Sequence, residues 1–173
     1  MVERHDIAQY LNANMLCAEH RYFGDSQPND LSNTNFTYLY ADQAAADLHH
    51  LVTVMKQDVF NKGNKWVSTG TSKCGINTPL YACYSDKNGW NDIDLYMPFG
   101  APFLTGTTQS AGDKLKGTYV KDVCGSGYPA NSNVSKILSI HGFHNNHFLN
   151  PKIYTPEAST AIKQALDKHI FGK

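Results

Sequence analysis

The stretch Trp66-Val67-Ser68-Thr69-Gly70-Thr71-Ser72-Lys73-Cys74-Gly75 leaves this chain the least freedom. A short β-branched apolar run meets Gly-x-Ser, and residues of helical composition follow from Ile76 to Tyr84. Strand, tight turn, helix is the order of a nucleophile elbow. There a serine on a strained turn projects its Oγ above the sheet, and the following helix aims its N-terminus at the site. Ser72 is therefore the candidate nucleophile. Gly70 suits a turn that brings strand and helix so close that a Cβ would collide. The full pattern, Gly-x-Ser-x-Gly, has a second glycine where this chain has Cys74, with Gly75 one residue later. Gly-x-Ser alone also describes an ordinary turn after a strand, so the surroundings must decide.

At 173 residues with 41% apolar and 17% charged side chains, the chain can bury a core. Lys plus Arg and Asp plus Glu are each 15, so no charge surplus recruits nucleic acid or an anionic membrane. The sequence contains no apolar run of the roughly 18 residues a membrane span needs, and Met1 to Asp6 lacks the features of a signal peptide. Cys17, Cys74, Cys83 and Cys124 show no zinc spacing; buried thiols are the default, and oxidising conditions would allow three pairings.

Along the chain, Ile7, Ala8, Tyr10 and Leu11 have helical spacing, stopped by asparagines. Met15-Leu16-Cys17-Ala18 reads as a parallel strand covered on both faces, with the mixed polar and aromatic segment Glu19 to Pro28 at its carboxyl end. Ala45, Leu48, Val52, Met55 and Val59 predict an amphipathic helix from Asp42 to about Phe60, on which His49 and His50 are read as partly solvated. After the elbow come a helix interrupted at Pro79 and a strand from Asp92 to Phe99. Alternating strands and helices with short connections predict an α/β fold with a parallel sheet. Helices are expected at Lys114 to Val123 and Val134 to Phe148, and a last one begins at Pro156 with Ala161, Ile162, Ala165, Leu166 and Ile170 as its stripe. These later elements read as additions to the sheet.

Three motifs carry a resemblance: Glu-His-Arg-Tyr-Phe-Gly-x-Ser-x-Pro at 19 to 28, Tyr-Leu-x3-Gln-Ala-Ala-Ala-Asp-Leu-His-His at 38 to 50, and Lys-Trp-Val-Ser-Thr-Gly-Thr-Ser-Lys at 65 to 73. In order and spacing they closely resemble the secreted prolyl tri- and tetrapeptidyl aminopeptidases, serine exopeptidases of the α/β-hydrolase fold. The lysosomal prolyl carboxypeptidase and dipeptidyl peptidase family is a more distant match through its His-Arg-Tyr-aromatic-Gly motif. The likeness covers residues 7 to 104 and is loose beyond.

The resemblance implies a partial α/β-hydrolase core over residues 1 to 104, then the beginning of a mostly helical cap over 105 to 173. It implies Ser72 as nucleophile, the Lys73 backbone N–H as an oxyanion donor, and Gly70, Cys74 and Gly75 as the elbow. His20, Arg21, Tyr22, Gly24 and Ser26 would line the substrate mouth, with Glu19, His20 and Arg21 bracing that loop; Gln43 and Asp47 would be structural. The expected activity is release of short peptides from N-termini, proline-directed, by acyl transfer with no metal and no organic cofactor. Peptide would be the partner, with no nucleic acid and no membrane, and exposed sheet surfaces would favour self-association. The location implied is secreted or periplasmic.

This chain departs from the family in three places. Tyr40 stands where the family offers a threonine helix cap, Cys74 stands where it has glycine, and the triad acid and histidine would lie beyond the chain. The chain thus reads as an internal fragment, or a gene product cut at both ends, with a non-catalytic relic or binding module as the alternative. His141, His144 and His147 form the histidine cluster after Ser72; a catalytic base, a metal site and a solvated loop are its three readings.

Overall fold

Every residue of Leu95-Tyr96-Met97-Pro98-Phe99 is buried, so this strand needs cover on both faces. The computed structural model describes residues 5–27, 36–60, 63–99, 101, 132–137 and 156–172. Its elements, in chain order, are α1 (His5–Leu11), α2 (Ala41–Asp58), β1 (Val67–Thr71), α3 (Lys73–Asn88), β2 (Leu95–Phe99) and α4 (Pro156–Leu166). A π-helical turn, Asp167–Phe171, extends α4, and short 3₁₀ turns occupy Phe36–Tyr38 and Val134–Lys136.

β1 and β2 pair in parallel, from Val67 opposite Leu95 to Thr71 opposite Phe99. Consecutive parallel strands need a crossover, which α3 supplies. On its other edge Tyr96 forms a parallel bridge to Ile137. Side chains alternate across the sheet. Leu95, Met97 and Phe99 join Ile7, Ile162 and Leu166 on one face, while Tyr96 joins Ala45, Val52, Tyr81, Ala82 and Ile137 on the other. The result is a layer of α1 and α4, a parallel sheet, and a layer of α2 and α3. Burying a side chain such as Leu95 or Phe99 contributes about 1.5–3 kcal/mol, so both layers are held by the same strand. The last helix is accordingly a wall of the sheet's own core, not an appendage to it.

The expected α/β character and parallel sheet are present. Asn12, at φ 49°, turns the chain out of α1, and α2 ends within two residues of the expected point. Val59, the last residue of the predicted stripe, is 61% exposed because it lies beyond the helix. Two readings are corrected. Residues 15 to 18 are irregular and exposed, with Met15 at 47% and Leu16 at 44%. An apolar run supplies no hydrogen-bonding partner for itself, and the described ladder joins β1 and β2. Nor does Pro79 interrupt α3, which runs unbroken for 16 residues. Its second-turn proline forgoes one N–H bond, and the ring is buried in the core in return.

The expected helix at 114 to 123, the histidines at 141, 144 and 147, and the boundary between 104 and 105 lie outside the described residues. No described helix is long and apolar enough to cross a membrane.

Candidate active site

Ser72 sits between the last residue of β1 and the first of α3 with φ 55° and ψ −120°. A side chain at positive φ is sterically costly, of the order of 1–3 kcal/mol, and such strain persists only where neighbours overdetermine it. Here they do. The Ser72 N–H donates to the Phe99 carbonyl at 3.2 Å, tying the turn to the end of β2, and the Ser72 carbonyl accepts from the Ile76 N–H at 3.1 Å, the first bond of α3. The N–H groups of Lys73, Cys74 and Gly75 belong to the helix's first turn, where N–H groups have no helical acceptors, directly after the candidate nucleophile Ser72.

The glycines on either side set how close strand and helix come. A Cβ on Gly70 would overlap the Cys74 carbonyl and stand 2.8 Å from the Cys74 Cβ. One on Gly75 would meet the Phe99 carbonyl at 3.0 Å, Ala101 at 3.1 Å and the Gly70 carbonyl at 3.2 Å. Gly75 thus lies at the crossing of helix and sheet, while Cys74 is an exposed free thiol. The Cys74 Cβ lies on the Gly70 side of this approach, and the glycine at 70 leaves it room.

The loop at 19 to 27, expected to line the substrate mouth, is a tightly bonded turn. Tyr22 N–H donates to the Ser26 carbonyl at 2.8 Å, Phe23 N–H to His20 at 3.0 Å, and Ser26 N–H to Phe23 at 3.0 Å. Tyr22, at φ 69°, and Gly24, at φ 53°, give it its shape; a Cβ on Gly24 would overlap the Glu19 carboxylate. Glu19 also accepts from the Ser26 N–H at 2.8 Å. The side-chain bond from Ser26, with backbone bonds from Ser26 and Asp25, holds the Glu19 carboxyl below its usual range despite slight desolvation.

Arg21 anchors the loop to α2 through a two-pronged pair with Asp47, which also accepts from Gln43 Nε2 at 3.1 Å. Burial alone would raise the Asp47 carboxyl, but the bonds from Arg21 and Gln43 bring it below the ordinary aspartate value. That hydrogen bond raises the Arg21 guanidinium in turn. Tyr22 is buried, with its ring 5.4 Å from that of Phe36 and its hydroxyl accepting from the Tyr38 N–H at 3.4 Å. His20 Nδ1 lies 2.8 Å from the Arg21 carbonyl. Loop and elbow meet through Phe23, whose ring centroid is 4.0 Å from Lys73 Nζ. Tyr40 caps α2 without a side-chain hydrogen bond, as its residue type predicts.

Three features escape a reading of sequence. Phe23, not one of the loop's marked positions, makes the contact with the elbow. His49 is partly solvated as expected, yet it is also paired: Nδ1 lies 2.9 Å from Asp92 Oδ2, and its ring stacks on Trp90 at 4.1 Å. Asp92 is buried, takes a short bond from the Tyr81 hydroxyl, and leaves Oδ1 without a hydrogen-bond partner among the described residues. This histidine–aspartate pair stands before β2, whereas Ser72 follows β1. The five paired residues between put the two about 16 Å apart, so the pair belongs to the core and not to the serine. His50 is exposed. Cys83, third, is disulfide-bonded, which corrects the default of buried free thiols; Cys17 and Cys74 are free and exposed.

No group of metal-ligating side chains occurs among the described residues. A groove lined by Tyr40, Gln43, Tyr84 and Trp90 opens between the start of α2 and the end of α3; α3 runs from Ser72 towards it for about 24 Å.

Residues 2–78 match the family model for serine carboxypeptidase S28, a span that takes in the mouth loop, the Arg21–Asp47 pair and the elbow. The serine protease vicPb of Bipolaris victoriae is 30% identical over 150 residues, covering 76% of this chain and 28% of the relative. Two Caenorhabditis elegans proteins described as serine proteases match shorter stretches. One is 38% identical over 69 residues, 39% of this chain and 13% of the relative; the other, pcp-1, is 40% identical over 57 residues, 31% of this chain and 10% of the relative. The chain thus spans little more than a quarter of the first of these relatives and less of the others. No solved structure matches.

Proposed function

Because the chain belongs to the S28 serine peptidase family, we propose that it carries the nucleophile elbow of a serine exopeptidase, with Ser72 attacking the peptide carbonyl. The observation that carries this reading is the backbone of Ser72, φ 55° and ψ −120°, between a parallel strand and a helix N-terminus. Such strain at a serine is the geometry that lifts Oγ clear of its own chain.

In the proposed reaction Ser72 Oγ adds to the carbonyl carbon as a base takes its proton, and the carbonyl oxygen becomes an oxyanion. The Lys73 N–H is one donor to that oxygen; a preorganised donor of this kind typically contributes about 2.7–4 kcal/mol to transition-state stabilisation. Collapse of the adduct returns the proton to the leaving amine and leaves an acyl-serine, which water then hydrolyses. Base and acid come from residues other than those described around the elbow. His20, Arg21, Tyr22, Gly24 and Ser26 form the wall of the mouth.

We further propose that the peptidase releases tri- or tetrapeptides from free N-termini with proline at the cleavage side, following the three motifs at 19 to 28, 38 to 50 and 65 to 73. It acts outside the cytoplasm, a reading that the disulfide at Cys83 supports, since such bonds persist in oxidising compartments. The native protein, incubated with peptides bearing proline at the second, third or fourth position, should release the N-terminal tri- or tetrapeptide from the last two and leave the first intact, and Ser72→Ala should abolish release. Release of single residues, or cleavage from the C-terminus, would overturn the specificity while leaving the nucleophile. A second reading, a hydrolase-fold module without chemistry, draws on the lack of a hydrogen bond to Ser72 Oγ from any described residue. It requires that no product form at all.

A further inference from the structure

Phe23 is 45% exposed, so burial in the core does not explain its position. It stands between two residues of positive φ, Tyr22 and Gly24, in a loop already anchored on the far side by Arg21 and Asp47. Its ring faces the ammonium of Lys73 at 4.0 Å, and His20 packs edge-on against that ring at 5.2 Å. Lys73 directly follows Ser72 and is the first residue of α3. We propose that Phe23 is a positioning residue: the Phe23–Lys73 cation–π contact latches the 19–27 loop to the elbow, so that the mouth is held in register with the nucleophile.

The energetic logic is local. Tyr22 is held by its burial against Phe36 and by the turn's own bonds, and the Arg21–Asp47 pair fixes the loop's base on α2; Phe23 is the side chain that ties the loop to the elbow. A cation over an aromatic face at an exposed site contributes about 0.5–1 kcal/mol, enough to hold a loop whose own turn bonds are formed. The latch exists whatever chemistry Ser72 performs; its consequence for catalysis rests on the peptidase reading.

Hydrogen exchange of the native protein tests the latch without any turnover. The amides of Tyr22, Phe23 and Ser26, bonded within the turn, should exchange about 2- to 5-fold faster in Phe23→Leu and in Lys73→Met. The double variant should exchange no faster than either single one, and Phe23→Tyr and Lys73→Arg, which keep ring and cation, should restore protection. In the same preparations the rate of fluorophosphonate labelling at Ser72 should fall in Phe23→Leu and recover in Phe23→Tyr. Unchanged exchange in both single variants, or effects that simply add in the double variant, would overturn the proposal. Absence of labelling in the unaltered protein would sink the peptidase reading instead, and the exchange rates would still decide the latch.

Discussion

The Ser72 N–H donates to the Phe99 carbonyl at 3.2 Å, so the turn that ends one strand is fastened to the last residue of its neighbour. This bond, with Gly75 passing so close to the same carbonyl that an added Cβ would stand 3.0 Å from it, holds Ser72 in its strained backbone state.

Gly70→Ala and Gly89→Ala separate two reasons for glycine. At Gly70 a methyl group would overlap the Cys74 backbone, which cannot yield as a flexible side chain would, so the substitution should cost about 3 kcal/mol. Gly89 ends α3 at φ 70° with open space around it, and alanine there should cost only about 1 kcal/mol through its backbone conformation. Urea midpoints at constant slope give both values.

Cys74→Gly should be nearly silent, at about 1 kcal/mol or less from helix propensity. The cysteine is free and exposed, and Gly70 already leaves room for its Cβ, so a glycine at 74 relieves no overlap. In the native protein Cys17 and Cys74 should react with iodoacetamide, and Cys83 only after reduction. A stability change above about 3 kcal/mol for Cys74→Gly, by the same urea assay, would show that the cysteine shapes the elbow.

Arg21→Lys should behave as a loss of the pair, because an ammonium cannot make the two-pronged contact; about 1 kcal/mol is expected at this partly exposed site. The pH dependence follows from Asp47, whose carboxyl lies below the ordinary value in the folded chain. Its contribution is complete above the unfolded aspartate value of about 3.9 and disappears as pH falls through the lower folded value. The stability curves of the parent and Asp47→Asn, measured by denaturant titration, should therefore separate at neutral pH and converge as pH falls through the lowered folded value.

Tyr81 is raised above the ordinary phenol value, first by burial and then by its bond to Asp92; burial does the same for Tyr96. A phenol raised in the folded state stabilises it fully below the unfolded value of about 10, and that stability declines as pH rises further. Absorbance titration at alkaline pH should show these two tyrosines ionising only with unfolding. Tyr81→Phe, which takes a donor from a buried carboxylate, should cost about 1–3 kcal/mol.

What could be read from sequence was what is local. The 3.6-residue period of Ala45, Leu48 and Val52 placed α2, and a glycine and a serine after a β-branched run placed the elbow. Met15 to Ala18 misled because hydrophobicity does not specify a ladder partner, and Pro79 misled because a buried ring offsets a missing bond. The rest is nonlocal. Arg21 and Asp47 are 26 residues apart, and His49 and Asp92 are 43 apart. The latch between Phe23 and Lys73 leaves no periodic trace. The motif that contains Phe23 marked its loop, but only the fold brings the ring to the cation beside Ser72.

The central claim is that Ser72 is an activated nucleophile. The native protein from its source cells should be treated with a fluorophosphonate and mapped by peptide mass spectrometry. The expected result is one adduct per chain on Ser72, lost in Ser72→Ala and slowed by competing peptide. An unmodified Ser72 in protein that remains folded would contradict it.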